Sequence, residues 1–394
     1  MRMKNKDRFY FFISLIVISL VGMILRWTGI PYIGVDYEVC FLPWYEDLKA
    51  SGGLHGLVEF KGDYNMFYAS LLYFLTLIPV PPLISIKMLS IVFDYFLAIV
   101  VLAMVVEVSP EEKKWFYGSI AYGLVLLNPL VVMNSAYLSQ SEGIWCSLAL
   151  CAFWLFWKQH PVGGGMFLGF AIAMKPQAFF ILPIILIYYF KSRRFSLLHF
   201  LWVPVGIQLT CIPAIIGGCS FDIFIRRFIA MLKEYPYVYY YYPNIWTYLQ
   251  EAPYYAFGRT AIFSTFTVLL LFAVLYIKSR QEVTLQDMFL YITWTAMTCA
   301  MLLPCMHERY NYLAEVMLVV CAIREKRYRI PALILQLVSM QCNGQSYLDW
   351  PWVSHYALAA FNVAVYLYLT RDCMLKLYRA GLPERGDYYA KNRA

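Results

Sequence analysis

The chain has 394 residues, of which 61% are hydrophobic, 19% aromatic and 14% charged, with a mean hydropathy of +0.59. That balance excludes the set of soluble domains its length alone would suggest, because most of the chain cannot face water, and it implies a polytopic membrane protein. The net charge of +8 would favour nucleic acid if the basic residues shared one surface; they punctuate apolar segments instead, so nucleic acid is not an expected partner.

The first apolar run, FYFFISLIVISLVGMIL at 9–25, follows Arg2, Lys4, Lys6 and Arg8. Its length and the lack of a small-residue cleavage site predict an uncleaved first helix, not a signal peptide. Basic loops then recur at Lys113/Lys114, Lys158, Lys191/Arg193/Arg194, Lys278/Arg280, Arg324/Lys326/Arg327/Arg329 and Arg371/Lys376. Placing them inside predicts an all-α bundle of about twelve spans with both termini in the cytoplasm, set in a plasma (inner) membrane. The spans fall near 9–26, 84–107, 116–134, 143–157, 162–175, 177–190, 197–217, 259–277, 285–303, 311–323, 330–344 and 354–370.

Residues 1–370 thus read as one transmembrane domain, and 371–394 as a basic cytoplasmic tail. Two long segments, 27–83 and 218–258, stay on the extracytoplasmic side with interfacial helices. The apolar stretch at 69–83 can lie along the interface or pack onto the bundle. The short runs at 162–175 and 177–190 meet at Lys175-Pro176-Gln177, as a hairpin that just reaches the surface or as a re-entrant pair lining a cavity. Ten Cys show no metal-ligand spacing; Cys40, Cys219, Cys305 and Cys342 fall on or near the outer side, where a disulfide is possible without a preferred pairing.

Charged residues at membrane depth are costly unless paired or hydrated, so they are the first candidates for function. Asp36 and Glu38 follow the first span, flanked by Tyr37, Phe41 and Trp44. They read either as a surface acidic pair or as a general base in a partly dry cleft, with Asp36 preferred and Asp63 in reserve. Gln140 and Glu142 stand at the outer entrance of the fourth span. Lys175 needs an anionic partner unless it snorkels, and a phosphate would serve, with Gln177 beside it. His307, Glu308 and Arg309, in PCMHERYNY, offer an imidazole, a carboxylate and a guanidinium fork suited to phosphate oxygens. Arg226 and Arg227 are further phosphate contacts or interface anchors. Asp94 and Lys87 can share one helix face for packing. No Walker loop, dinucleotide glycine motif or zinc-protease helix is present in the sequence.

These residues resemble the GT-C superfamily of integral membrane glycosyltransferases. The segment Asp36-Tyr37-Glu38 with Trp44 resembles the first outer loop of the dolichyl-phosphate-glucose-dependent glucosyltransferases. NSAYLSQSEGIW, the Lys175-Pro176-Gln177 turn and MHERYNY resemble the bacterial and archaeal mannosyltransferase-like branch. Together they cover roughly residues 10–325. The chain departs from the pattern where Ser139-Gln140-Ser141-Glu142 replaces Gly-Gln-x-Asp, and after Asn311.

The resemblance implies an inverting hexosyl transfer from a polyprenyl-monophosphate sugar to a hydroxyl of a lipid-linked or cell-envelope glycan, on the extracytoplasmic face. Asp36 would be the base, with Glu38 and Glu142 as further catalytic carboxylates. Lys175, His307 and Arg309 would meet the donor phosphate; Gln177, Gln140, Glu308, Arg226 and Arg227, read from the residues themselves, are further candidates for holding the donor. Basic side chains can neutralise a phosphate leaving group unaided, so the sequence requires no metal and no cofactor beyond the lipid-linked donor. The expected partners are membrane lipids, the donor and a glycan or glycolipid acceptor, with the protein monomeric. Two alternatives use similar residues: a flippase for a lipid-linked saccharide, and a polymerase or ligase using a diphosphate-linked glycan.

Overall fold

A computed structural model of the chain describes residues 5–231, 235–350 and 352–381. Among the described residues its regular structure is all helical, apart from one isolated antiparallel bridge between Tyr237 and Pro253. Its first helices are α1 (Asn5–Gly29), α2 (Leu42–Ser51), α3 (Met66–Thr76), α4 (Pro82–Val108), α5 (Lys114–Leu126), α6 (Pro129–Val132), α7 (Glu142–Trp157) and α8 (Pro161–Met174). There follow α9 (Leu182–Ser192), α10 (Trp202–Ile216), α11 (Ile223–Met231), α12 (Tyr254–Lys278), α13 (Leu285–Leu302), α14 (Tyr312–Arg324), α15 (Arg329–Tyr347) and α16 (His355–Ala380).

Every predicted span therefore contains helix. Among the described residues, four helical segments can cross a membrane by length and composition: Arg8–Gly29, Pro82–Val108, Leu197–Ile216 and Tyr254–Lys278. A fifth is reached if Lys114–Leu126 and Pro129–Tyr137, bent by 45°, count as one span. The bend has a local cause. Pro129 has no N–H to continue α5, and the Asn128 side chain accepts from Leu130 N at 2.9 Å to start a new helix. Along α1 the side chains of Phe12, Ile16, Leu20 and Ile24 are exposed, and along α12 so are Phe263, Phe266 and Leu270, as lipid-facing surfaces require. Residues 371–380, expected in the tail, continue α16; residues 382–394, and Arg2 and Lys4, lie outside the described residues.

The chain divides into two compact units. The first comprises Met1–Phe179 and Ser196–Glu234. At its centre is α7, apolar on all sides and buried along nearly its whole length, packed on α4 and α8. The glycines of GGGMFLG let α8 and α10 touch backbone to backbone: a Cβ on Gly169 would lie 2.3 Å from Val203 O, and one on Gly206 2.4 Å from Met166 O. Helix α3, which carries the first part of the apolar stretch at 69–83, packs against α2, α8 and α10.

Charges inside this unit are paired. Arg26 of α1 donates to Asp94 of α4 at 2.8 Å and to the carbonyls of Gly22 (3.1 Å) and Leu126 (2.8 Å). Ser135 donates to the same Asp94 oxygen at 2.5 Å. Lys87, two turns before Asp94 on the same helix, is likewise buried. Its ammonium caps the end of α1, donating to Gly29 O at 3.0 Å and Ile30 O at 3.1 Å, where the helix dipole favours a cation.

The second unit comprises Phe180–Phe195 and Tyr235–Ala394. Its buried centre is α13, packed on α9, α12, α14 and α16. Lys191 caps the end of α12 through Tyr276 O (3.1 Å) and Ile277 O (3.3 Å). All ten cysteines are free thiols, so the disulfide allowed by the sequence is not formed.

Candidate active site

Three stretches bring polar groups into the apolar first unit. After α1 the chain turns at Gly34 and passes into a π-helical turn, Tyr37–Phe41. Asp36 immediately precedes that turn and is partly exposed, while Glu38 is exposed. Packing of Phe41 on Trp44, Tyr64 and Tyr68 fixes the turn from its buried side.

The second stretch follows the break at Pro129. A second π-helical turn, Met133–Tyr137, is closed by Leu138 N to Met133 O at 2.9 Å. Such turns widen a helix and re-aim its side chains, and they recur at functional sites. Ser139 then takes a left-handed conformation with φ of 58°, a conformation that a non-glycine residue holds only where its surroundings impose it. The chain doubles back, so that Gln140 N donates to Asn134 O at 2.8 Å, and α7 begins at Glu142. The third stretch is Lys175, forced into an extended conformation by the proline after it.

These stretches converge. Gln140, fully buried, donates its side-chain amide to Asp36 Oδ2. Glu142 is fully buried too; one carboxylate oxygen is bonded by the Lys175 ammonium and the other accepts from Asn134 Nδ2 at 3.3 Å. Lys175 lies 5.0 Å above the Tyr64 ring, and the Tyr64 hydroxyl accepts from Ser141 at 3.1 Å. Asp36, Gln140, Glu142 and Lys175, singled out separately in the sequence, thus form one network, with Gln177 buried two residues beyond Lys175.

Two expectations change. The buried anion that Lys175 requires is Glu142, an internal partner, so phosphate is not needed to explain the lysine. Arg227 is not presented for phosphate: it donates to the carbonyls of Gly62 (2.6 Å) and Tyr64 (3.2 Å) and lies 5.1 Å over the Phe60 ring, fastening the loop that carries Tyr64. Arg226 sits on the exposed side of α11, paired with Asp222 one turn back at 2.7 Å.

In the second unit, His307, Glu308 and Arg309 occupy the turn between α13 and α14. Glu308 is buried and accepts from Arg309 and, at 2.7 Å, from the hydroxyl of Tyr347 on α15. Burial alone would raise the Glu308 pKa, but Arg309, His307 and Tyr347 outweigh it and hold the carboxyl below its ordinary value. Glu308 thereby holds the Arg309 guanidinium in place. The His307 ring is boxed by Tyr240 at 4.4 Å, Tyr310 at 4.8 Å and Tyr235 at 6.0 Å between centroids. Backbone bonds hold the tyrosine-rich segment there: Cys305 N to Val238 O at 2.7 Å and Tyr242 N to Met306 O at 3.0 Å.

Sequence reasoning missed Asn134, Tyr64 and Tyr347. Asn134 had a signal, as a lone amide within the apolar VVMNSAY just before the residues that were chosen. Tyr64 and Tyr347 had none, being two among 34 tyrosines. No family model matches the chain, and no curated protein matches it.

Proposed function

We propose that this chain is an integral membrane glycosyltransferase of GT-C type, moving a hexose with inversion from a polyprenyl-monophosphate donor to the hydroxyl of a lipid-linked or envelope glycan. The observation that carries this reading is the placement of Asp36: a partly exposed carboxylate whose inner oxygen is bonded to a fully buried amide, at the edge of a polar network inside an apolar unit.

A carboxylate held in this way can accept a proton from an attacking hydroxyl. Attack on C1 forms the new glycosidic bond as the sugar–phosphate bond breaks, and the lipid phosphate leaves with the electron pair. In the second unit, the His307–Arg309 turn supplies donors suited to a phosphate, with Arg309 pre-oriented by Glu308. The reading is tested by supplying purified protein with radiolabelled polyprenyl-phosphate hexoses and a lipid extract; a labelled glycan product is expected, and none with the fold intact rejects it.

One observation favours a second reading, a carrier of lipid-linked saccharides. The break at Asn128-Pro129 interrupts a membrane-capable segment beside buried charges, as discontinuous helices do at transporter binding sites. Movement of labelled lipid across a vesicle without a glycosidic product would select it.

A further inference from the structure

We infer that the network around Glu142 and Lys175 recognises the hydroxyl groups of a neutral polyol, a sugar ring, and that Lys175 is not a phosphate ligand. This rests on the transferase reading and names which part of its substrate the first unit meets.

A carboxylate can only accept, so an amide side chain bonded to one must present its NH₂. Asp36 therefore fixes the amide of Gln140, and Glu142 fixes that of Asn134. In both, the carbonyl oxygen is the atom left over, and both carbonyl oxygens, Asn134 Oδ1 and Gln140 Oε1, are buried with no hydrogen-bond partner among the described residues. Ser139 Oγ and Gln177 Oε1 are in the same condition. The four side chains are 3%, 0%, 0% and 8% exposed, for Asn134, Gln140, Ser139 and Gln177. A buried polar atom without a partner is costly, and these four lie on the two short stretches, 134–142 and 175–177, that the Glu142–Lys175 pair joins, which points to a ligand there.

What binds must donate. An ionised phosphate carries only acceptors and would face carbonyl oxygens. It would also enter a network holding two carboxylates, Asp36 and Glu142, against one ammonium, Lys175. A small cation would be drawn by that same excess of carboxylate, so ammonium is run as a competing probe in the test below. A sugar ring brings several O–H donors without charge, and Ser139 can donate or accept as the ring requires. The sequence alone pointed the other way, because Lys175 read as a cation in search of an anion; the structure supplies that anion from within.

The test uses full-length protein in a sugar-free detergent. Saturation-transfer NMR with methyl hexopyranosides, inorganic phosphate and ammonium ion is run on wild type, Gln177→Met, Ser139→Ala and Lys175→Met. A diazirine-bearing glycoside, mapped by mass spectrometry on wild type alone, locates the site without any variant. The expected result is glycoside binding weakened about five- to tenfold by Gln177→Met, in line with the loss of one neutral hydrogen bond, with cross-links within 134–142 or 175–177. Phosphate and ammonium should fail to displace the glycoside.

Displacement by phosphate or ammonium, phosphate binding that Lys175→Met weakens, cross-links elsewhere, or a glycoside that wild type ignores would each overturn the assignment. Failure of the enzyme reading looks different. In that case the glycoside binds and cross-links as described, but no polyprenyl-phosphate sugar is turned over.

Discussion

Gln140 donates its side-chain amide to the carboxylate of Asp36, 104 positions away in the sequence. The bond joins the turn after α1 to the reversal before α7, so the orientation of Asp36 depends on the backbone path through Ser139. Gln140→Met keeps the volume and removes the donor. Transfer should fall about tenfold further than sugar binding, which loses only the Gln140 Oε1 acceptor, a split read from single-turnover and binding measurements. Equal losses in both would show that Gln140 holds substrate and does not position Asp36.

The Glu142–Lys175 pair should display the asymmetry of buried ion pairs. Lys175→Met leaves a buried carboxylate uncompensated and should cost about 3–5 kcal/mol of stability, whereas Glu142→Gln with Lys175→Met should recover most of it. Denaturant unfolding of the three proteins in mixed micelles measures this. If the single variant is as stable as wild type, the two side chains are not paired in the folded protein.

Arg226 and Arg227 are neighbours with different work, and substitution should separate them. Arg227→Ala removes the donors to Gly62 and Tyr64 and should speed amide exchange and proteolysis across 60–65. Arg226→Ala loses only an exposed pair with Asp222 and should leave both unchanged. Equal effects would contradict the assignment of Arg227 to the loop.

Glu308 gives a pH dependence of definite sign. Its carboxyl is held below the ordinary value in the folded protein, so the folded state favours the charged form. The stabilisation is complete above the unfolded carboxylate pKa of about 4.3 and is lost as pH falls through the lower folded value. Glu308→Gln should flatten the acid side of the stability profile, and Tyr347→Phe should do so in part. A profile unchanged by Glu308→Gln would remove the carboxylate from the acid response.

Much of this was legible in the sequence, because apolar runs between basic loops report helices directly. Each predicted span holds one. Crossing is harder to read. Helices such as α7 and α13 are apolar because they are buried in protein, and composition cannot distinguish that from burial in lipid. The candidate residues were also legible, since a charge in an apolar run is conspicuous whatever the fold. Their partners were not. Lys175 and Glu142 are 33 positions apart, and Arg26 and Asp94 are 68 apart, distances over which no local pattern selects a pair. The π-helical turns and the left-handed Ser139 have no composition of their own, yet they bring Gln140 to Asp36.

The central claim is that Asp36 is the base of a glycosyl transfer. The most direct measurement compares wild type with Asp36→Asn on radiolabelled polyprenyl-monophosphate sugars and a lipid extract, with donor binding followed alongside. The account predicts product from wild type, and donor binding by Asp36→Asn with transfer reduced by about 10²–10⁴-fold, the usual contribution of a general base. Transfer by Asp36→Asn at the wild-type rate would contradict it.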